Sequence, residues 1–181
     1  MAQVGDSRGY VFRGGVLVQV TRDQSVVSAL MHAGRLTPEE ARASVHSNVI
    51  LQALGVEEDV EVSLSVVDLR RGDRLVLCSD GLHGPIRDEG IRAALAAAAS
   101  PQEACDELVR RARAAGGPDN IPAIVCAFAG ERLPEPRGED DLPRFLELDP
   151  AEEGPRSVTT TSRVARRLAA RAGVTGADPG P

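Results

Sequence analysis

Three aspartates share a setting that could do chemistry. Asp6 lies in Val4-Gly5-Asp6-Ser7-Arg8, Asp80 in Leu77-Cys78-Ser79-Asp80-Gly81 and Asp119 in Gly116-Gly117-Pro118-Asp119-Asn120. Each abuts an apolar, strand-like run: Asp6 precedes one, Asp80 follows one and Asp119 precedes one. Strand ends of a common sheet can converge, and carboxylates brought together repel one another unless a hard divalent cation sits among them. Oxygen donors of this kind suit Mg²⁺ or Mn²⁺. The same three contexts also read as turns, because Asp before Gly or Asn bonds its own local backbone. From residue types and spacing alone, both readings stay open. His32, His46 and His83 show no ligand spacing, and His83, three residues past Asp80, reads as a loop residue or as cleft lining. Cys78, Cys105 and Cys126 form an odd set without metal-ligand spacing. Cys78 and Cys126 sit in apolar runs and read as buried free thiols, which a reducing compartment permits.

Positioning three such side chains takes strands and turns, and the sequence supplies both up to about residue 131. Arg8 to Arg13 and Val16 to Val20 are short strand-like runs joined at Gly14-Gly15, a hairpin signal. Gln24 to Ala33 has helical spacing and stops at Gly34. Thr37-Pro38-Glu39-Glu40 and Ser100-Pro101-Gln102-Glu103 are capping-box helix starts. Val60 to Val66 alternates as a half-buried strand, and Arg74 to Cys78 reads as a central one. Helices are expected over Asp88–Ala99 and from Ser100 to Ala115, then a strand over Ile121–Phe128. The order β-β-α-α-β-β-α-α-β fits an α+β fold with helices covering antiparallel sheet.

The 181 residues are 42% hydrophobic, enough for a core. A formal net charge of −6 argues against nucleic acid as a partner. No apolar run approaches a membrane span and no basic-then-apolar leader opens the sequence, so no membrane partner and a cytoplasmic location are expected. Residues 132–153 hold four prolines with eight acidic and three basic residues, and residues 154–181 hold five arginines and one acid, Asp178. Such composition buries too little apolar surface to offset ordering, so 132–181 is expected to be a disordered tail. Within it Ser162 to Ala172 could form a short basic amphipathic helix.

Six segments together resemble a known family. Val4-Gly5-Asp6-Ser7-Arg8-Gly9-Tyr10 is similar to the GDSRAY segment of the metal-dependent (type 2C, PPM) protein serine/threonine phosphatases, bacterial branch. Leu75 to Leu82 resembles their LLCSDGL segment, and Gly116 to Ile121 their GGxDNIT segment. Thr21 to Ser25 resembles a T-x-D-H-S element and Gly34 to Ala41 the bacterial flap, while Ala53-Leu54-Gly55 matches the end of R-A-L-G. The resemblance covers about residues 2–129, the C-terminal half of the domain. It implies part of a β-sandwich of two antiparallel sheets flanked by helices. It also implies hydrolysis of phosphoserine or phosphothreonine by water activated at a binuclear Mn²⁺ or Mg²⁺ centre. Asp80 and Asp119 match metal ligands, and Asp6 with Asp80 matches ligands of a weaker third metal. The substrate implied is a phosphoprotein made by a serine/threonine kinase.

The sequence also departs from that pattern. The early acidic ligands and the phosphate-gripping arginine of the N-terminal half have no counterpart, so the isolated chain is expected to be inactive unless another chain supplies that half. A non-catalytic pseudophosphatase or binding module is the alternative. Gln24 stands for the usual histidine, Gln52 for the arginine of R-A-L-G, and Pro122 for the threonine after DNI, harmless if that strand is an edge.

Overall fold

The computed structural model describes residues 1–46, 49–56, 58–138 and 141–148. In chain order its elements are β1 (Ala2–Gln3), β2 (Arg8–Arg13), β3 (Val16–Gln19), α1 (Val26–His32), α2 (Pro38–Ala43), β4 (Ser63–Val67) and β5 (Arg74–Cys78). They continue with α3 (Asp80–His83), α4 (Asp88–Ala97), α5 (Pro101–Ala114), β6 (Ala123–Ala127) and β7 (Phe145–Leu148). Two antiparallel sheets result, β1-β4-β7 and β3-β2-β5-β6, with helices against the second. This is the expected α+β arrangement, with β1, α3 and β7 added to what the sequence patterns showed.

Local chemistry explains the elements. Gly14 and Gly15 both take positive φ, 55° and 85°, so a two-residue turn matching strand twist joins β2 to β3. At Thr37 the capping box closes, with Glu40 N–H donating to Thr37 Oγ1 and Thr37 N–H donating to Glu40 Oε2. At Ser100 it closes one residue out of register: Ser100 Oγ accepts the Glu103 N–H, but the Glu103 carboxylate takes the N–H of Ala99. Alternate residues of β2 and β5 face the helices, with Tyr10 opposite Val76. Ile91, Ala94 and Leu95 of α4 and Ala104, Leu108 and Ala112 of α5 recur at helical spacing and are fully buried.

The other face of the same sheet is covered unevenly. Met1 lies over Gly9, where an added Cβ would come within 2.4 Å of its Cε, and Val11 and Val20 are buried. Leu77 and Ile124, paired across β5 and β6, are 36% and 56% exposed. Cys126, two residues on from Ile124, is exposed as well, which corrects the expectation of a buried thiol. An apolar run fixes alternation, not whether a second layer covers the outward positions. β6 pairs only with β5 among the described residues, so Pro122 precedes an edge strand, where its missing N–H costs no ladder bond.

The compact unit that starts at Met1 runs to Leu148, past the boundary near residue 131 that composition suggested. Two causes override the composition of 132–148. Phe145–Leu148 add to β4 in register, Val67 opposite Phe145 and Leu64 opposite Leu148. Two buried guanidiniums also need partners. Arg13 forks onto Asp73 with both contacts at 2.8 Å and donates to the carbonyls of Asp141, Leu142 and Asp68. Arg70 pairs with Asp141 at 3.0 Å and with Asp68. The expected tail beyond residue 148, including the Ser162–Ala172 helix, lies outside the described residues.

Arg13 and Asp73 are 4% and 0% exposed, so truncating Asp73 strips a buried guanidinium of its bidentate partner and leaves it the Asp141 carboxylate at 3.6 Å and three carbonyls. Asp73→Ala should therefore destabilise the protein by about 3–5 kcal/mol. Asp68→Ala, at a carboxylate that is 58% exposed, should cost less than about 1 kcal/mol. Urea unfolding of both variants checks this, and equal losses would remove the distinction.

Candidate metal centre

The β2–β5 ladder sets the first two aspartates. Arg8 pairs with Cys78 at its last rung, so continuing the register two residues further places Asp6 opposite Asp80. Asp6 occupies a turn that Gly5 opens at φ 92°, a conformation other residues rarely adopt. Gln24 holds this turn: its Oε1 accepts the Gly5 N–H at 2.7 Å, its own N–H donates to the Gly5 carbonyl, and its Nε2 donates to the Glu61 carbonyl. The glutamine in place of histidine thus has both ends of its amide engaged. Gln52 similarly accepts the Glu61 N–H.

Asp80 opens α3, with one carboxylate oxygen accepting the Gly81 N–H at 2.9 Å. Asp119 likewise accepts the Asn120 N–H at 2.7 Å. The turn reading of the sequence is therefore correct for both, and it coexists with convergence. A Cβ on Gly81 would lie 2.1 Å from the Asn120 carbonyl oxygen, and Ser79 Oγ donates to that same oxygen at 3.1 Å. Only glycine allows the two loops to touch, and that contact brings the Asp119 turn to the Asp80 turn.

All three aspartates line one cleft of about 780 Å³. Burial first, and the negative charge of Asp80 second, raise the pKa of Asp6. That like-charge strain is what a divalent cation would relieve. Hard oxygen donors fit Mn²⁺ or Mg²⁺ in kind. They fall short in number, since among the described residues no three His, Cys, Asp or Glu side chains come close enough together to hold an ion. A thiol route has no support: burial pushes the Cys78 pKa up to about 12, so no thiolate forms there near neutrality.

Sequence reasoning missed the second polar layer of the cleft. Arg8 forks onto Asp23 at 3.0 and 2.7 Å and donates to the Tyr10 hydroxyl, which donates to Asp88. Burial acts to lower the Arg8 pKa, and its bonds to Asp23 and Tyr10 outweigh this and raise it, so the cation is locked. His83 also lines the cleft, within 3.1 Å of the Asp6 carbonyl. Burial and then the Arg8 charge lower its pKa. This is the cleft-lining reading that the sequence left open for His83, three residues past Asp80 on a short helix whose i,i+3 positions share a face.

Known proteins resemble this chain in sequence and in fold. The family model described as Stage II sporulation protein E (SpoIIE) matches residues 20–125, more than half of the chain. The serine/threonine protein phosphatase PstP of Mycobacterium tuberculosis is 42% identical over 126 residues, which are 70% of this chain and 24% of that protein. The crystal structure of the PPM Ser-Thr phosphatase MsPP from Mycobacterium smegmatis with cacodylate superposes with a TM-score of 0.66 at 34% identity. The match covers 71% of this chain and 55% of that one. The PstP catalytic domain with two manganese ions gives 0.56 at 40% identity, covering 68% and 50%. The chain thus spans about a quarter of the PstP protein and about half of the solved phosphatase chains it matches. Sequence and fold agree: the chain belongs to the metal-dependent (type 2C, PPM) protein serine/threonine phosphatase family.

Proposed function

We propose that this chain provides the Asp6, Asp80 and Asp119 side of a phosphoserine/phosphothreonine phosphatase centre that becomes active when a complementary half is present. The observation that carries this is the single cleft lined by Asp6, Asp80 and Asp119, with the Gly81–Asn120 contact joining the turns of the last two. Asp80 and Asp119 would hold the binuclear centre, and Asp6 with Asp80 a weaker third ion. Bound Mn²⁺ or Mg²⁺ would lower the pKa of water and neutralise phosphoryl charge. This chain's part is to fix the carboxylates by backbone contacts and to line the cleft. The substrate would be a phosphoprotein produced by a serine/threonine kinase. Three unpaired cysteines suit a cytoplasmic, reducing location.

Two exposed apolar surfaces support a completing half, in the same polypeptide or another. One is the Leu77–Ile124 pair beside the open edge of β6. The other is the segment from Val45 to Val56, where Val45, Leu54 and Val56 are 90%, 77% and 76% exposed. Exposed aliphatics of this density mark interaction surfaces. A binding module without catalysis is the second reading, favoured by the absence of a three-ligand cluster among the described residues.

The purified chain alone should hydrolyse p-nitrophenyl phosphate at background rate. Mixed with the N-terminal half of the PstP catalytic domain, it should gain Mn²⁺-dependent activity on a phosphothreonine peptide. Asp80→Ala or Asp119→Ala should lower that activity by more than about 100-fold, beyond the usual effect of losing a supporting residue. A folded complex with no metal-dependent turnover would favour the binding module.

Gly81→Ala tests the contact that unites the turns. Its Cβ must displace the Asn120 backbone, so urea unfolding should show a loss of about 1–3 kcal/mol, and Mn²⁺-dependent activity of the mixture should fall with it. Gly90→Ala, whose nearest neighbour would be a side-chain carbon at 3.6 Å in α4, should be neutral or stabilising by about 0.5–1 kcal/mol. Matching stabilities for the two variants would argue against a close-approach role.

A further inference from the structure

The cleft contains a connection that neither ligand matching nor the family resemblance assigns. α3 is four residues long, with Asp80 first and His83 last, one turn apart and on one face. The His83 ring reaches out of α3 to the backbone of the Asp6 turn, Nε2 to carbonyl oxygen, at 3.1 Å. A carbonyl oxygen only accepts, so Nε2 carries the proton in this bond. Among the described residues no other hydrogen bond joins α3 to the Asp6 turn. The rest of that turn is held from elsewhere, by Gln24 on Gly5 and by Gln3 Nε2 on the carbonyls of Gly5 and Ser7. Those bonds fix the residues flanking Asp6 but leave it no link to the helix that carries Asp80.

We propose that His83 is a positioning residue that ties the Asp6 turn to α3 and so sets the separation of the Asp6 and Asp80 carboxylates. The inference rests on the reading of those carboxylates as metal ligands. The β2–β5 ladder brings the two aspartates opposite one another, but its last rung is Arg8–Cys78. Beyond that rung both chains leave the sheet, Asp6 into a glycine turn and Asp80 into a helix. Two carboxylates that repel will splay apart unless something holds their backbones together. The His83 bond closes the gap from the helix side, as the Ser79 hydroxyl closes it toward Asn120. Losing a group that orients a metal ligand in this way typically costs about 10–100-fold in metal affinity or activity.

The test compares the full chain with His83→Ala and with His83→Gln, whose side-chain amide can donate from nearly the same place as Nε2. Mn²⁺ affinity is read from the electron paramagnetic resonance signal of the free ion, and tethering from amide exchange across residues 3–8. Thermal melts verify that each variant is folded. His83→Ala should weaken Mn²⁺ binding by about 10-fold or more and speed exchange in residues 3–8 while leaving α5 unchanged. His83→Gln should recover most of both. Wild-type values for His83→Ala in either readout, or no recovery in His83→Gln, would overturn the proposal. If the wild-type chain binds no Mn²⁺, the metal reading fails separately, and unchanged exchange in His83→Ala would still overturn the tether.

Discussion

The pairing of β2 with β5 is the constraint on which the rest depends. One register, Arg8 with Cys78 through Phe12 with Arg74, fixes both ends of the molecule. Continued one step past Phe12–Arg74 it opposes Arg13 and Asp73, which meet as a buried bidentate ion pair. Continued two steps the other way it opposes Asp6 and Asp80, two like charges. A single slip would put Tyr10 and Val76 on the wrong face and separate both pairs at once. The ion-paired end is satisfied within this chain, whereas the carboxylate end is not. The ladder therefore holds a repulsive arrangement in place with stability drawn from its opposite end and from the helix-covered face between.

The two faces of that sheet differ for a related reason. Toward the helices, Tyr10, Val76 and Cys78 meet apolar stripes of α4 and α5, and burial there is nearly complete. On the opposite face, Ile124 and Cys126 of the edge strand have no layer above them among the described residues. An apolar residue on such a face contributes little to stability, because the stabilisation comes from area removed from water. Exposure of Leu77 beside β6 and of Leu54 and Val56 in the loop before β4 is what a shared surface leaves when one side is uncovered.

Much of this was legible in the residues. The two-glycine hairpin, the capping box at Thr37 and the apolar run of Arg74 to Cys78 are local signals that formed where the pattern put them. At Ser100 the Glu103 carboxylate took the Ala99 N–H instead, and helix and strand ends shifted by a residue or a few. Convergence of Asp6, Asp80 and Asp119 on one cleft was legible because each flanks a strand and the motifs resemble those of one family. Other features depend on contacts distant in sequence. β7 is four residues among prolines and acids, and it forms because β4 has a free edge and because Arg13 and Arg70 require Asp141. Nothing in Arg71-Gly72-Asp73 shows that Arg13 will be buried against Asp73. Cys126 looked buried, since alternation predicts which face a residue takes and not what covers that face. Arg8, Asp23 and, through Tyr10, Asp88 form their network across β2, the loop after β3 and α4, and no spacing rule connects them.

The site also shows how a centre can be rigid and incomplete together. Asp80 and Asp119 each spend one oxygen on the adjacent N–H, and their turns touch through Gly81 and Asn120 without an intervening side chain. Backbone contacts of this kind are stiffer than side-chain contacts, so the directions of the Asp80 and Asp119 carboxylates are set by the fold itself. Catalysis by positioned water needs placement within a fraction of an ångström, and a flexible set of acids would not provide it however many were present. What the described residues lack is donor number rather than order. Further donors docking against the open face of β5 and β6 would therefore meet carboxylates already aimed, and the entropy of arranging this side would not be charged to the moment of assembly.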